Sequence, residues 1–173
     1  SGGLRQRAII AMALSCNPRL LIADEPTTAV DVTTQAQVLR LLRRLEEERN
    51  AAIIFITHDL GVIAQMADDV MVMYLGLVME LGPVDAIFHQ GRHPYTQALL
   101  RSIPSVTVQT HVKLPTISGS IPHPFNRPRG CPFHPRCEFS MPGRCDVRTP
   151  ALAPVDAGHA VSGFKYHAVE GRE

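Results

Sequence analysis

The sequence predicts an α/β domain built on a parallel sheet, followed by a small proline-rich, cysteine-containing C-terminal extension. Three observations predict it. Two short apolar runs, residues 20–23 and 52–56, are continuous rather than alternating, as strands read when both sheet faces are covered. Segments with helical spacing lie between and around them. From about residue 103 prolines crowd the chain, from Pro104 to Pro154, which argues against helices of any length there.

The elements follow in order. Ser1 is a favoured N-cap, and residues 4–14 fit a helix that Asn17-Pro18 ends. Residues 20–23 are the first strand. Residues 33–49 form an amphipathic helix with Val38, Leu41, Leu42 and Leu45 on one side. Its Arg40, Arg43, Arg44, Glu46, Glu47 and Glu48 make the solvated face. Residues 52–56 are the second strand and 60–67 a short helix. Residues 70–74 and 77–81 read as a hairpin around Leu75-Gly76, and 84–88 and 95–102 as two short helices. No internal repeat is present.

The 173 residues are 45% hydrophobic and 19% charged, an ordinary globular balance, and the formal net charge of +1 implies no strong pull toward nucleic acid or anionic lipid. No apolar run approaches the ~20 residues needed to span a bilayer. The longest, around residues 70–81, is broken by Gly76 and Glu80. The chain shows no signal peptide and opens with Ser-Gly-Gly rather than Met, as the middle of a longer product would. Of four cysteines, Cys16 stands alone in an apolar stretch and reads as core. Cys131, Cys137 and Cys145 cluster late, and an odd cluster without a secretory signal points to metal binding or plain packing rather than disulfides.

Three segments carry chemistry. The strand at 20–23 ends in Asp24-Glu25-Pro26. Ligands of open α/β sheets bind at the carboxyl ends of strands, and two adjacent acids there suit a magnesium–nucleotide complex. One carboxylate would hold the metal, and the next would orient or deprotonate the attacking water. A solvated strand end with two surface acids is the alternative. The strand at 52–56 delivers Thr57-His58-Asp59 to the same edge. His58 can bond a terminal phosphate or water there; the alternative is a helix-capping Asp59 beside a structural histidine. Ser1-Gly2-Gly3 at a helix start suits phosphate, or is only a capped helix after a tight turn.

Together these segments resemble the nucleotide-binding subunits of ABC transporters, and the fold they imply is the C-terminal part of a P-loop NTPase (ABC ATPase) domain. Ser1-Gly2-Gly3-Leu4-Arg5-Gln6-Arg7 is similar to the signature motif, residues 20–25 to the Walker B strand with Glu25 as the catalytic glutamate, and Ala29-Val30-Asp31 to the D-loop. Thr57-His58-Asp59 is similar to the segment carrying the switch histidine. The resemblance implies ATP and magnesium as cofactors, with Asp24 near magnesium, Glu25 and His58 catalytic, and Ser1, Gly2, Gly3, Gln6 and Asp31 in the nucleotide-binding set. It places the ATPase part at residues 1–82. A P-loop and a Gln-bearing loop would precede the signature in this family, so the chain reads as a C-terminal fragment expected not to hydrolyse ATP alone.

The extension at 83–173 narrows the class. His93-Pro94-Tyr95-Thr96-Gln97-Ala98-Leu99-Leu100 and Gly130-Cys131-Pro132-Phe133-His134-Pro135-Arg136-Cys137 resemble the extension of oligopeptide, dipeptide and nickel importer ATPases. There it can carry a four-iron four-sulfur cluster on four cysteines. Cys131, Cys137 and Cys145 match three of them, and Ser162-Gly163 stands where the fourth is expected; His134, His159 or His167 could substitute, or zinc could bind instead. The resemblance further implies a second ATPase subunit, two transmembrane permease subunits and an extracytoplasmic solute-binding protein. No nucleic acid partner is implied, and the setting is the cytoplasmic face of a bacterial or archaeal inner membrane. Alternatives are nickel or glutathione import, a soluble ABC ATPase acting on DNA or ribosomes, and a non-catalytic metal-binding or regulatory remnant.

Overall fold

In the computed structural model, residues 2–28, 30–49, 51–103 and 117–166 are described. They divide into two compact units, residues 1–67 and 68–173.

The first unit is a β–α–β motif with two further helices. Helix α1 (Gly2–Leu14) ends where Ser15 and Asn17 donate back to Met12 and Leu14 carbonyls, with Asn17 left-handed at φ 48° before Pro18. Strand β1 (Leu20–Asp24) pairs in parallel with β2 (Ala52–Ile56), Leu20 opposite Ala52 and Asp24 opposite Ile56. Helix α2 (Val32–Arg49) is the crossover between them, as parallel pairing requires. Short α3 (Leu60–Met66) follows β2. The core joins Ile10, Val38 and Leu42 with Leu21, Ile53, Phe55 and Met66, so all three helices contribute to one face of the sheet. Both strands form where the apolar runs place them. Leu20, Ile22, Ile54 and Ile56, pointing the other way, are exposed within these residues, Ile22 at 61%. Alternation puts every second side chain on the far face, where none of these helices packs. Cys16 is likewise exposed rather than core, because it falls past the end of α1.

The second unit holds an antiparallel sheet of order β3-β4-β6-β5. Strands β3 (Asp69–Tyr74) and β4 (Leu77–Pro83) form the expected hairpin, turning at Leu75 and Gly76, both at positive φ. Helices α4 (Val84–Gln90) and α5 (Pro94–Arg101) follow. Among the described residues, the proline-rich tail forms two 3-10 turns, Pro124–Asn126 and His134–Arg136, before two short strands, β5 (Ala153–Asp156) and β6 (His159–Val161). Strand β6 pairs with β4, Glu80 opposite Val161. This pairing draws the hairpin into the tail's unit, so the division falls before β3, upstream of both the composition change near 103 and the boundary after residue 82. Tyr74, Met79, Cys131 and Phe133 form the core, with Tyr95 and Phe133 ring centroids 5.2 Å apart. Gly130 sits at φ 70°, where a Cβ would lie 2.3 Å from the Cys145 carbonyl oxygen, so only glycine fits. Among the described residues no helix is long and apolar enough to cross a membrane.

Candidate active site

Parallel pairing carries β1 and β2 to a common edge. The Glu25 N–H donates to the Ile56 carbonyl at 2.8 Å, one residue beyond the last strand pair. Glu25 itself is left-handed, φ 47°, an unusual state for a residue with a Cβ and one that turns the chain sharply out of the strand. The turn closes with the Thr28 N–H donating to the Glu25 carbonyl at 3.1 Å. The Glu25 carboxylate is held at both oxygens. Thr28 Oγ donates to Oε2 at 2.6 Å, and His58 Nδ1 lies 2.7 Å from Oε1. The pair is open to solvent, with side chains 82% (His58) and 37% (Glu25) exposed. The Thr28 hydroxyl and then His58 pull the Glu25 carboxyl below its usual range, while the hydrogen bond and charge of Glu25 raise His58 above 6.5. Asp24, exposed at the end of β1, stands beside Glu25.

Asp59 caps α3, accepting from Gly61 N at 2.9 Å and Val62 N at 3.2 Å. That is the capping role weighed for it, yet His58 is exposed and paired with Glu25 rather than packed, which a structural histidine would be. Asp31 is also a cap: its oxygens accept from Thr34 N at 2.9 Å and Thr34 Oγ at 2.8 Å, which lowers its pKa.

In the segment similar to the signature, Ser1 lies outside the described residues. Gly2 and Gly3 begin α1. A Cβ on Gly3 would meet Thr34 Cγ2 at 2.8 Å, so this glycine serves the close approach of α1 to the start of α2. Gln6 turns inward and donates to the Pro26 carbonyl at 2.5 Å. Gln6, Gly3 and Asp31 thus tie α1, the turn after β1 and the start of α2 into one framework behind Glu25.

Adjacent exposed carboxylates at a strand end are hard oxygen donors of the kind magnesium takes, usually one or two per site with phosphate and water completing the shell. Asp24 and Glu25 fit that chemistry.

The cysteines do not fit an iron–sulfur cluster. Cys131, Cys137 and Cys145 pack around Tyr74, Met79 and Phe133. Burial raises the Cys131 and Cys137 pKa values above the usual thiol range. Cys145 Sγ accepts from Met141 N at 3.3 Å. Ser162, where a fourth ligand was expected, is buried and donates to the Pro150 carbonyl at 2.8 Å. His134 Nδ1 lies 2.8 Å from the Cys131 carbonyl oxygen and His159 is bound to Glu80, while His167 lies outside the described residues. Among the described residues no three His, Cys, Asp or Glu side chains are grouped to hold a metal, so neither a cluster nor zinc is supported.

Sequence reasoning missed Thr28 and Glu80. Thr28 stands three residues after Glu25 in a turn, a spacing at which a hydroxyl reaches back to a carboxylate. Glu80 is fully buried in β4 and accepts from Arg92 N at 2.6 Å, His93 N at 2.9 Å and His159 Nε2 at 2.7 Å. A lone acid inside an otherwise apolar strand was the available signal.

Residues 1–28 match the family model described as ABC transporter, and residues 79–145 the one described as oligopeptide/dipeptide transporter, C-terminal region. The chain is 52% identical over its whole length to the oligopeptide transport ATP-binding protein AppD of Bacillus subtilis, spanning 52% of that protein. It is 51% identical over 88% of its length to the dipeptide transport ATP-binding protein DppD of Escherichia coli, spanning 46% of that one. The chain thus spans about half the length of the curated relatives it matches. With one model at its start and the other across its second unit, the chain belongs to the ABC transporter ATP-binding proteins of the oligopeptide/dipeptide transporter family.

Proposed function

We propose that this chain is the C-terminal part of an ATP-hydrolysing subunit that energises an importer of oligopeptides or dipeptides. The observation that carries the reading is the Glu25–His58 pair, 2.7 Å apart beside Asp24 at the carboxyl ends of two parallel strands. The names of the relatives, oligopeptide and dipeptide transport ATP-binding proteins, support the solute class.

The chain's own residues then act as follows. Glu25 orients the attacking water and accepts its proton. His58, holding Glu25 at rest, exchanges that contact for the terminal phosphate as substrate enters. Asp24 carries the magnesium, which supplies charge neutralisation to the phosphates when bound. Asp31 and Gln6 hold the framework rather than contact nucleotide directly. Gly2 and Gly3, with Ser1, present the start of α1 to nucleotide on a second ATPase subunit. The complete protein works on two permease subunits at the cytoplasmic membrane face, fed by a solute-binding protein.

The test is Glu25→Gln in the complete protein. Removing a positioned base is expected to lower steady-state ATPase by ~10²–10⁴-fold while ATP binding persists. Wild-type turnover in that variant, measured by phosphate release, refutes the reading.

A further inference from the structure

We propose that Thr28 is a positioning residue for this reaction, its hydroxyl fixing the Glu25 carboxylate in the orientation that faces His58. The proposal rests on the ATPase reading given above. Glu25 has three rotatable side-chain bonds and is partly open to water, so packing alone does not choose its rotamer. Hydrogen bonds do. His58 Nδ1 takes Oε1 at 2.7 Å, but His58 is more exposed still and is the group that must let go when phosphate arrives. Thr28 Oγ on Oε2, at 2.6 Å, is the contact that remains.

The backbone delivers that hydroxyl. Glu25 is left-handed and is pinned on three sides, by its own N–H on the Ile56 carbonyl, by Thr28 N–H on its carbonyl, and by the Gln6 amide on the Pro26 carbonyl. A residue in this conformation persists only where its surroundings over-determine it, and such residues concentrate at functional sites. The two threonines of the turn divide the work. Thr27 is buried and packs, whereas Thr28 is exposed and spends its one donor on the carboxylate. The ionisable groups around Glu25 are its neighbour Asp24 on β1 and His58 beyond β2, with Asp59 acting on His58 in turn.

Removing the hydroxyl while keeping the side chain's shape therefore frees the carboxylate without loss of packing, so a turnover defect that a serine repairs reports orientation.

The experiment compares Thr28→Val, which keeps the shape and removes the donor, with Thr28→Ser, which keeps the donor. Both are made in the complete protein. Steady-state kcat and KM for ATP are read together. Thr28→Val is expected to lower kcat by about tenfold, the scale of one charge-assisted hydrogen bond, with KM for ATP unchanged. Thr28→Ser is expected to match wild type in both. An unchanged kcat in Thr28→Val, or equal defects in the two variants, overturns the proposal. Glu25→Gln run alongside separates the two ideas: turnover indifferent to Glu25 refutes the ATPase reading, while Glu25-dependent turnover that Thr28→Val leaves at the wild-type rate overturns the role of Thr28 alone.

Discussion

Each unit contains a glutamate and a histidine 2.7 Å apart, and their surroundings make them different devices. Glu25 and His58 are open to water. Solvent screens them, so the contact adds little to the fold, but either partner can be taken by a ligand without disturbing a core. Glu80 and His159 are 0% and 2% exposed. Three donors reach the Glu80 carboxylate, from β6 and from the two residues before α5, so the pair acts as a joint between strand, strand and helix. The same two residue types at the same distance thus make an open, exchangeable contact in one place and a buried joint in the other. Burial and the number of satisfied oxygens decide which.

The comparison can be broken in four ways. The largest effect is expected from Glu25→Gln, which should remove most turnover and leave the unfolding midpoint of the complete protein unchanged. A large drop in that midpoint would make the exposed pair structural after all. Glu80→Ala should do the reverse and destabilise the second unit by about 3–5 kcal/mol, because it leaves buried donors unpaired. Urea unfolding measures it, and a loss below about 1 kcal/mol would mean the joint is ornamental. Acid sharpens the contrast next. Burial holds His93 down to about 4 against an ordinary 6.5. The unfolded chain therefore binds a proton that the native one refuses, so stability is full above about 6.5 and falls as pH drops toward 4, by roughly 3 kcal/mol. His93→Asn, which keeps a capping acceptor for α5, should flatten that decline. The smallest effect belongs to the exposed pair. His58 should titrate above 6.5 by proton NMR and move down in Glu25→Gln. The contact is complete between the lowered Glu25 value and the raised His58 value, and is lost as pH rises through the latter.

Sequence made the local part of this legible. Residues 52–56 form a strand over that whole span, and Leu75-Gly76 turns a hairpin, because periodicity and punctuation act over a few residues. Glu25 and His58 could be found because each lies within two residues of the end of an apolar strand and parallel strands share an edge. What stayed hidden is non-local. Strand β6 has three residues and β5 contains Pro154, so neither shows a period of its own. Glu80 read as an interruption of an apolar run, since its acceptor role depends on His159, a partner 79 positions away. Gln6 sits in a linear motif that does not show its partner, the Pro26 carbonyl 20 positions on, whereas the Asp31 cap on Thr34 is a local contact three residues away.

The pairing of β4 with β6 also sets a timetable for synthesis. In the first unit Leu20 meets Ala52, so that sheet can close while the second unit is still being made; in the second, Leu81 must wait for Ala160. At ~5–20 residues per second, the wait is on the order of ten seconds. Throughout it, the nascent chain carries β4 with one open backbone edge and a glutamate whose histidine has not yet been translated. A ribosome that stalls before residue 159 therefore leaves an unpaired strand able to template on other chains, so the three residues of β6 protect the edge that β4 would otherwise present.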